Sequence, residues 1–142
     1  METGNKSLVI MISLILNKKV VLSTLWVFVL MNMIYADILN TLKPEYLQEL
    51  EYVGNNMSGE TVLLFAFLME VPIAMILLSR ILNRKCNRIL NFIAAPVSIL
   101  WVIVPSIVMN GGNSPLSYIL FASIETIAML FIIWYSYRWK KE

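Results

Sequence analysis

Four stretches of the chain, each a little over twenty residues long and almost free of charge, constrain the fold more than any other feature. They cover about residues 20–41, 61–81, 89–109 and 116–137. A helix needs roughly 20 apolar residues to cross the hydrocarbon core of a bilayer. The 142-residue chain is also 59% hydrophobic, with a mean hydropathy of +0.76, which is well above the range of soluble proteins. We therefore predict an all-α integral membrane protein with four spans.

Loop lengths predict how these spans are arranged. The connections between the second and third spans and between the third and fourth are short, so these neighbours should be antiparallel and adjacent, as in an up-down four-helix bundle. Residues 19–142 form this transmembrane domain. Residues 1–18 form an N-terminal interfacial segment, because its apolar run, residues 8–16, is too short to span. A cleaved signal peptide is the alternative, but no small-residue cleavage site follows that run.

The first loop is longer and has its own helical pattern. Pro44 suits the start of a helix, and Tyr46, Leu47, Leu50 and Val53 recur at helical spacing. We predict a short amphipathic helix lying on the membrane surface. It either caps the mouth of the bundle or lies at the interface without further contact.

Basic residues are distributed very unequally between the two ends of the spans. The first loop contains one basic residue, Lys43, and the third loop, at the same end of the spans, contains none. The other ten of the eleven Lys and Arg residues lie at the opposite end: Lys6, Lys18, Lys19, Arg80, Arg84, Lys85, Arg88, Arg138, Lys140 and Lys141. Cytoplasmic loops retain such residues, so both termini are predicted to be cytoplasmic. These residues also account for the net charge of +2. We expect them to determine topology and to contact anionic lipid, and we do not expect them to bind nucleic acid.

The rarity of cysteine and histidine excludes whole classes of chemistry. The chain has one cysteine, Cys86, and no histidine. Disulfides, imidazole or thiolate metal sites and histidine-based catalytic triads are therefore not expected, and we predict no metal, no cofactor and no catalytic residue.

Three carboxylates fall inside the predicted spans: Asp37 in the first, Glu70 in the second and Glu125 in the fourth. An acid at the centre of a membrane helix costs about 2.5 to 3.5 kcal/mol even on lenient insertion scales. Such a residue is by default a functional candidate. Arg80, at the end of the second span, is the one Lys or Arg within these stretches, and it lies ten residues, or roughly 15 Å, from Glu70. It is therefore too far along the helix to neutralise these acids.

Depth and facing suggest that the acids belong together. At a rise of about 1.5 Å per residue, Glu70 and Glu125 lie roughly 14 Å deep and Asp37 about 6 Å deep. Small residues lie one turn from both glutamates, as at close helix contacts. We predict that both face the bundle interior, where they share protons or bind a ligand. Four further residues complete this predicted site: Asn32, Ser98, Trp101 and Tyr118.

The residues also suggest a family. The first span "KVVLSTLWVFVLMNMIYADILNTLKP", the mid-helix "MEVPIAM", the start "NRILNFI" and the late "SIETIAMLFIIWYSYRWK" resemble a group of small bacterial four-span membrane proteins of unknown function. The resemblance covers roughly residues 19–140. It implies the same topology, and it implies that Asp37, Glu70 and Glu125 are positions at which such proteins also carry acids. The layout is also similar to that of the EXPERA sterol isomerases and amine-binding proteins, whose acids face a cavity for cationic amphiphiles.

These observations favour a non-enzymatic protein that binds a lipophilic or cationic small molecule in an acidic cavity within the bundle, with or without proton exchange. Two alternatives stay open. In the first, the protein is an accessory subunit of a membrane complex, and the acids are structural pins, that is, protonated groups that hydrogen-bond one helix to another. In the second, it is an intramembrane isomerase with paired carboxylates as acid and base. A homo-oligomer is compatible with each.

Overall fold

The described part of the chain contains five principal helices, four of them long. The computed structural model describes residues 13, 17–108 and 115–139, with side chains undescribed at residues 105–108, so the predicted N-terminal segment lies almost wholly outside the described residues. The helices are α1 (Lys18–Thr41), α2 (Pro44–Asn56), α3 (Gly59–Ile81), α4 (Arg84–Val108) and α5 (Leu116–Tyr137). Helices α1, α3, α4 and α5 are long and apolar enough to cross a membrane. The predicted all-α four-span bundle with one short additional helix is confirmed.

The four long helices pack as a closed ring of neighbours. Helix α1 packs against α3 and α5, and α4 packs against the same two helices. Consequently α1 and α4 lie on one diagonal of the bundle and α3 and α5 on the other. We call the end at which α2 lies the α2 end, and the opposite end, where Lys18, Arg84, Arg88 and Arg138 lie, the basic end.

Helix boundaries follow local capping chemistry. The Ser58 side chain accepts a hydrogen bond from the backbone N–H of Thr61 and caps α3, as its position predicts. For the third span, an asparagine before the apolar run is a typical N-cap, and this pattern favours Asn87 from the sequence alone. That prediction is wrong, because helix α4 begins at Arg84, where the Asn83 side chain accepts a hydrogen bond of 3.1 Å from the N–H of Cys86.

Helix α2 matches the predicted amphipathic helix. It begins at Pro44, it has no buried residue, and it contacts the bundle through α1. Tyr46 and Val53 are its half-buried members, whereas Leu47 and Leu50 stay exposed. An apolar stripe that the protein does not cover suits a helix lying at a membrane surface.

The core of the bundle is a mixture of apolar and polar side chains. Helix α1 buries Leu22, Trp26, Val29 and Met33, which recur every three or four residues, and α5 buries Met129 and Ile132 against them. Helix α4 presents a stripe that is partly polar and equally buried: Asn87, Asn91, Ala94, Ala95, Ser98 and Val102.

The asparagines of α4 form a hydrogen-bond network in the basic half of the bundle. Trp26 Nε1 donates to Asn91 Oδ1 at 2.7 Å, and Asn91 Nδ2 donates to Asn87 Oδ1 at 2.7 Å. Asn87 Nδ2 then donates to the backbone carbonyl of Ser79 at 2.6 Å. We call Trp26, Ser79, Asn87 and Asn91 the asparagine network. It connects α1, α3 and α4 where lipid offers no competing partners.

A second polar contact joins α1 to α3 nearby. Ser23 Oγ donates to the carbonyl of Ile76 at 2.8 Å and accepts from Arg80 Nε at 3.2 Å. The Ile76 carbonyl lies in the last turns of α3, and Arg80 follows Ile76 by four residues, which is one helical turn. The contact therefore fixes the register between the two helices at the basic end.

Candidate functional site

Glu125 is the buried acid of the bundle. It lies nine residues into α5, roughly 14 Å from the α2 end of that helix, and its side chain is 3% exposed. Within the described residues its Oε1 atom has no hydrogen-bond partner. Buried polar groups are almost always hydrogen-bonded, and an exception calls for an explanation. A bare carboxylate here would cost several kcal/mol, so the group needs a proton or a cation.

Two other ionisable residues lie within electrostatic range of Glu125. Asp37 of α1 interacts with it through charge, and Tyr118, two turns earlier on α5, interacts with both acids. Tyr118 is held in place because its hydroxyl donates a 2.8 Å hydrogen bond to the backbone carbonyl of Val102 on α4. Three of the four long helices thus contribute to one polar region.

Tyr46 extends this region to the surface helix α2. Burial raises the pKa of the Tyr46 phenol, and the negative charges of Asp37 and Glu49 raise it further. We call Asp37, Tyr46, Tyr118 and Glu125 the acid–tyrosine cluster. It runs from the exposed Asp37, near the α2 end of α1, to the buried Glu125, nine residues into α5.

An open groove runs beside this cluster on the outside of the bundle. Its volume is about 400 Å³, and it is lined by Ile103 of α4 and by a face of α5 between Tyr118 and Ile127. Ala122 lines the groove and lies one turn from Glu125 on the same helix, so the groove passes close to the buried acid along α5. Ser123 and Thr126 add hydroxyls, each of which bonds to a carbonyl of its own helix.

Glu70 is not part of this cluster. It is the middle residue of α3, but its side chain is exposed on the outer surface of the bundle. Helices α3 and α5 lie on a diagonal and do not pack against each other. The expectation that Glu70 and Glu125 face one interior space is therefore wrong. Helix α3 turns Pro72, Met75 and Ser79 inward instead.

The remaining predicted site residues are dispersed. Asn32 is half-buried, and its amide donates to the Phe28 carbonyl of its own helix at 2.8 Å. Trp101 is half-buried and packs edge-on against Phe65 of α3, with ring centroids 4.9 Å apart. Neither side chain contacts an acid in these interactions.

Ser98 is the other predicted residue near Glu125 in depth. It is 2% exposed, and its Oγ has no partner within the described residues. The Tyr118–Val102 hydrogen bond sets the register of the antiparallel pair α4 and α5, and this places Ser98 within about one turn of Glu125 along the membrane normal. Two unpartnered buried oxygens thus lie at similar depth on adjoining helices.

Sequence reasoning missed Tyr46. Its signal was available, because Tyr46 is the first apolar residue of α2 and follows Asp37 by nine positions, across a tight connection. What hydropathy does not reveal is that the Tyr46 phenol lies within electrostatic range of Asp37.

A second open groove lies at the basic end, with a volume of about 370 Å³, and it is lined by Lys85, Arg88, Ile89, Phe92 and Ile93. It carries no acid and lies far from Glu125, so it is not the candidate site. In residues 17–108 and 115–139, no three acidic, cysteine or histidine side chains lie together in a group that could hold a metal ion.

The fold and the cluster define a multi-pass membrane protein with four spans and an acid buried between its helices. The chain belongs to a family of unknown function, DUF6326, whose model matches residues 10–142. No curated protein and no solved structure matches the chain.

Proposed function

We propose that the protein binds a lipophilic cation at the acid–tyrosine cluster, with the Glu125 carboxylate as its counter-ion. The observation that carries the proposal is the burial of Glu125 at 3% exposure with an unpartnered Oε1. Intramembrane acids are costly and mark ligand, ion or proton sites.

The charge of the ligand follows from the absence of an internal base. No Lys or Arg occurs in residues 20–41, 61–79, 89–109 or 116–137, so the spans supply no cation of their own. A carboxylate in this position gains most from a positive charge, because the attraction is strong where water is excluded. Tyr118 adds an aromatic face, and Asp37 adds a second negative charge within electrostatic range.

The lipophilic character follows from the route. The groove beside Ala122 opens on the outer surface of the bundle, between α4 and α5, and its lining is mainly apolar. A molecule that reaches Glu125 by this route would partition into the bilayer first. The sequence predicts a cavity within the bundle, and an open lateral groove takes its place in the proposal.

Proton exchange is part of the same proposal. A neutral Glu125 must lose its proton before it pairs with a cation, so binding should release a proton and strengthen as the pH rises. The intramembrane isomerase is not carried forward, because Glu70 and Glu125 lie on separate faces and do not form the required pair.

We further propose that the basic end is cytoplasmic, so that the α2 end and Asp37 face the opposite side. Cys86, the single cysteine, is exposed at the basic end and provides the test. A membrane-impermeant maleimide should label Cys86 in inverted vesicles and not in intact cells. Labelling in intact cells would reverse the proposed orientation.

Binding can be tested with tetraphenylphosphonium, a permanently charged lipophilic cation, on the purified protein in lipid nanodiscs. We expect Glu125→Gln to lower the affinity about tenfold or more and to abolish its rise with pH, since a neutral amide cannot serve as counter-ion. Glu60→Gln is the matched control, because Glu60 is an exposed acid in the first turn of α3.

Uncharged triphenylphosphine oxide should bind weakly to the wild type and to Glu125→Gln alike. If Glu125→Gln binds the cation as tightly as the wild type does, the carboxylate is not a counter-ion and the proposal fails. A variant that keeps binding but loses thermal stability would identify Glu125 as a structural pin.

A further inference from the structure

We propose that the protein forms a parallel homodimer through the exposed face of α3, in which the Glu70 side chains of two copies bond to each other. The inference does not depend on ligand binding at Glu125, which lies on a helix that α3 does not contact. Glu70 is an acid that the fold leaves exposed at the middle of a membrane-length helix.

Glu70 is the middle residue of a 23-residue membrane-length helix and points away from the protein. Among the described side chains of residues 17–104 and 115–139, its carboxyl group has no hydrogen-bond or ion-pair partner. Lipid tails offer no partner either. A carboxyl at this depth, even when protonated, is stabilised only if another polar group reaches it.

The face around Glu70 is suited to contact with another helix. Ala66 lies one turn before it and Ile73 one turn after it, with Phe67 beside them, and all three are exposed. Leu63 and Leu77 continue the same stripe, at spacings of seven residues from Glu70. We call these residues the Glu70 stripe. Ala66 allows close approach of a second backbone, as small residues do at membrane helix interfaces.

Exposure of the apolar members would by itself indicate only contact with lipid. The carboxyl is what requires a polar partner. A protonated carboxyl both donates and accepts, so two of them are complementary to each other. An ammonium or guanidinium from another protein would also satisfy Glu70, but it would have to lie at the same depth by coincidence.

A second copy meets that requirement by symmetry. The sequence predicts ten of the eleven basic residues on one side of the membrane, and such a bias would insert all copies in the same orientation. Residue 70 then lies at one depth in every copy. A two-fold axis along the membrane normal brings the Glu70 stripes together, with each residue near its own equivalent, as in an isologous interface.

Association can be measured by energy transfer between copies labelled on Cys86, which is the single cysteine and is exposed at the basic end. Donor- and acceptor-labelled proteins are mixed in liposomes and diluted with lipid. We expect wild-type transfer to persist on dilution. Glu70→Leu should shift the midpoint about tenfold toward higher protein density, since it removes an interhelical hydrogen bond.

Glu70→Gln should retain most of the association, because an amide also donates and accepts. Since position 70 is exposed, neither change disturbs the core, and the folded fraction can be checked by circular dichroism. Equal association of wild type and Glu70→Leu would overturn the proposal, as would a wild type that is monomeric at every lipid ratio.

Cross-linking tests the geometry of the interface. In a Cys86→Ser background, Ala66→Cys should form a disulfide between copies under mild oxidation, because a two-fold axis brings residue 66 close to its equivalent. Ser123→Cys is the matched control, since Ser123 is exposed and also lies seven residues into its helix, but on α5. Equal cross-linking at the two positions would count against an interface at α3.

Discussion

Trp26 and Asn91 are joined by a 2.7 Å hydrogen bond between two fully buried side chains, across a diagonal of the bundle. Their helices, α1 and α4, do not pack directly against each other. The bond therefore links the two halves of the ring, and it does so in the half of the bundle opposite the acid–tyrosine cluster. The polar groups that hold the helices together thus lie in one half of the bundle, and the candidate functional groups lie in the other.

Trp26→Phe should destabilise the protein by about 1 to 3 kcal/mol, because it leaves the Asn91 Oδ1 atom buried without a donor. The measurement is unfolding by a denaturing detergent. Trp134→Phe is the control, since Trp134 is 47% exposed and contacts Phe131 at the surface. Equal stability of the two variants would show that the asparagine network does not contribute to the fold.

Ser23→Ala should cost about 1 to 2 kcal/mol, because Ser23 bonds to the Ile76 carbonyl and to Arg80 across two helices. Thr24→Ala is an adjacent control: the Thr24 hydroxyl is exposed and bonds to the Val20 carbonyl of its own helix. Thermal denaturation in detergent distinguishes them. The idea fails if Thr24→Ala is the more damaging change.

Glu125→Leu should stabilise the protein by about 1 to 3 kcal/mol while abolishing cation binding. The reason is that it replaces an unpartnered buried carboxyl with an apolar side chain of similar size. Thermal stability and tetraphenylphosphonium binding are measured on the same preparation. A destabilised variant would instead support the structural-pin hypothesis.

Ala122→Ile should weaken cation binding even though Glu125 is unchanged, because a branched side chain would fill part of the groove one turn from the acid. We expect a fall in affinity of about tenfold, since the added bulk would exclude part of the ligand. Ala74→Ile, on α3, is the control for adding the same bulk elsewhere. Wild-type affinity in Ala122→Ile would exclude the groove as the route.

Glu70→Gln should leave tetraphenylphosphonium binding and its pH dependence unchanged, because Glu70 lies on the outer face of α3 and not beside Glu125. The titration at two pH values is the same as for Glu125→Gln. Loss of binding in Glu70→Gln would restore the sequence-level hypothesis of a site shared by the two glutamates.

Hydropathy and spacing were enough to predict the four spans, the amphipathic helix α2 and the antiparallel order, since these depend on bilayer thickness and on loop length. The inward face of α4 was also predictable. Asn91, Ala94 and Ser98 form a polar and small stripe on an otherwise apolar helix, and such side chains avoid lipid.

Glu70 and Glu125 show where prediction from sequence ended. Each has an alanine one turn away and lies nearly midway along an apolar helix, yet Glu125 is buried and Glu70 is exposed. Helices α3 and α5 are apolar all round, and lipid tails are as apolar as a protein core, so burial gives neither helix a preferred face. Only the packing of α1 and α4 between them, with the hydrogen bonds that set its register, decides which acid lies inside.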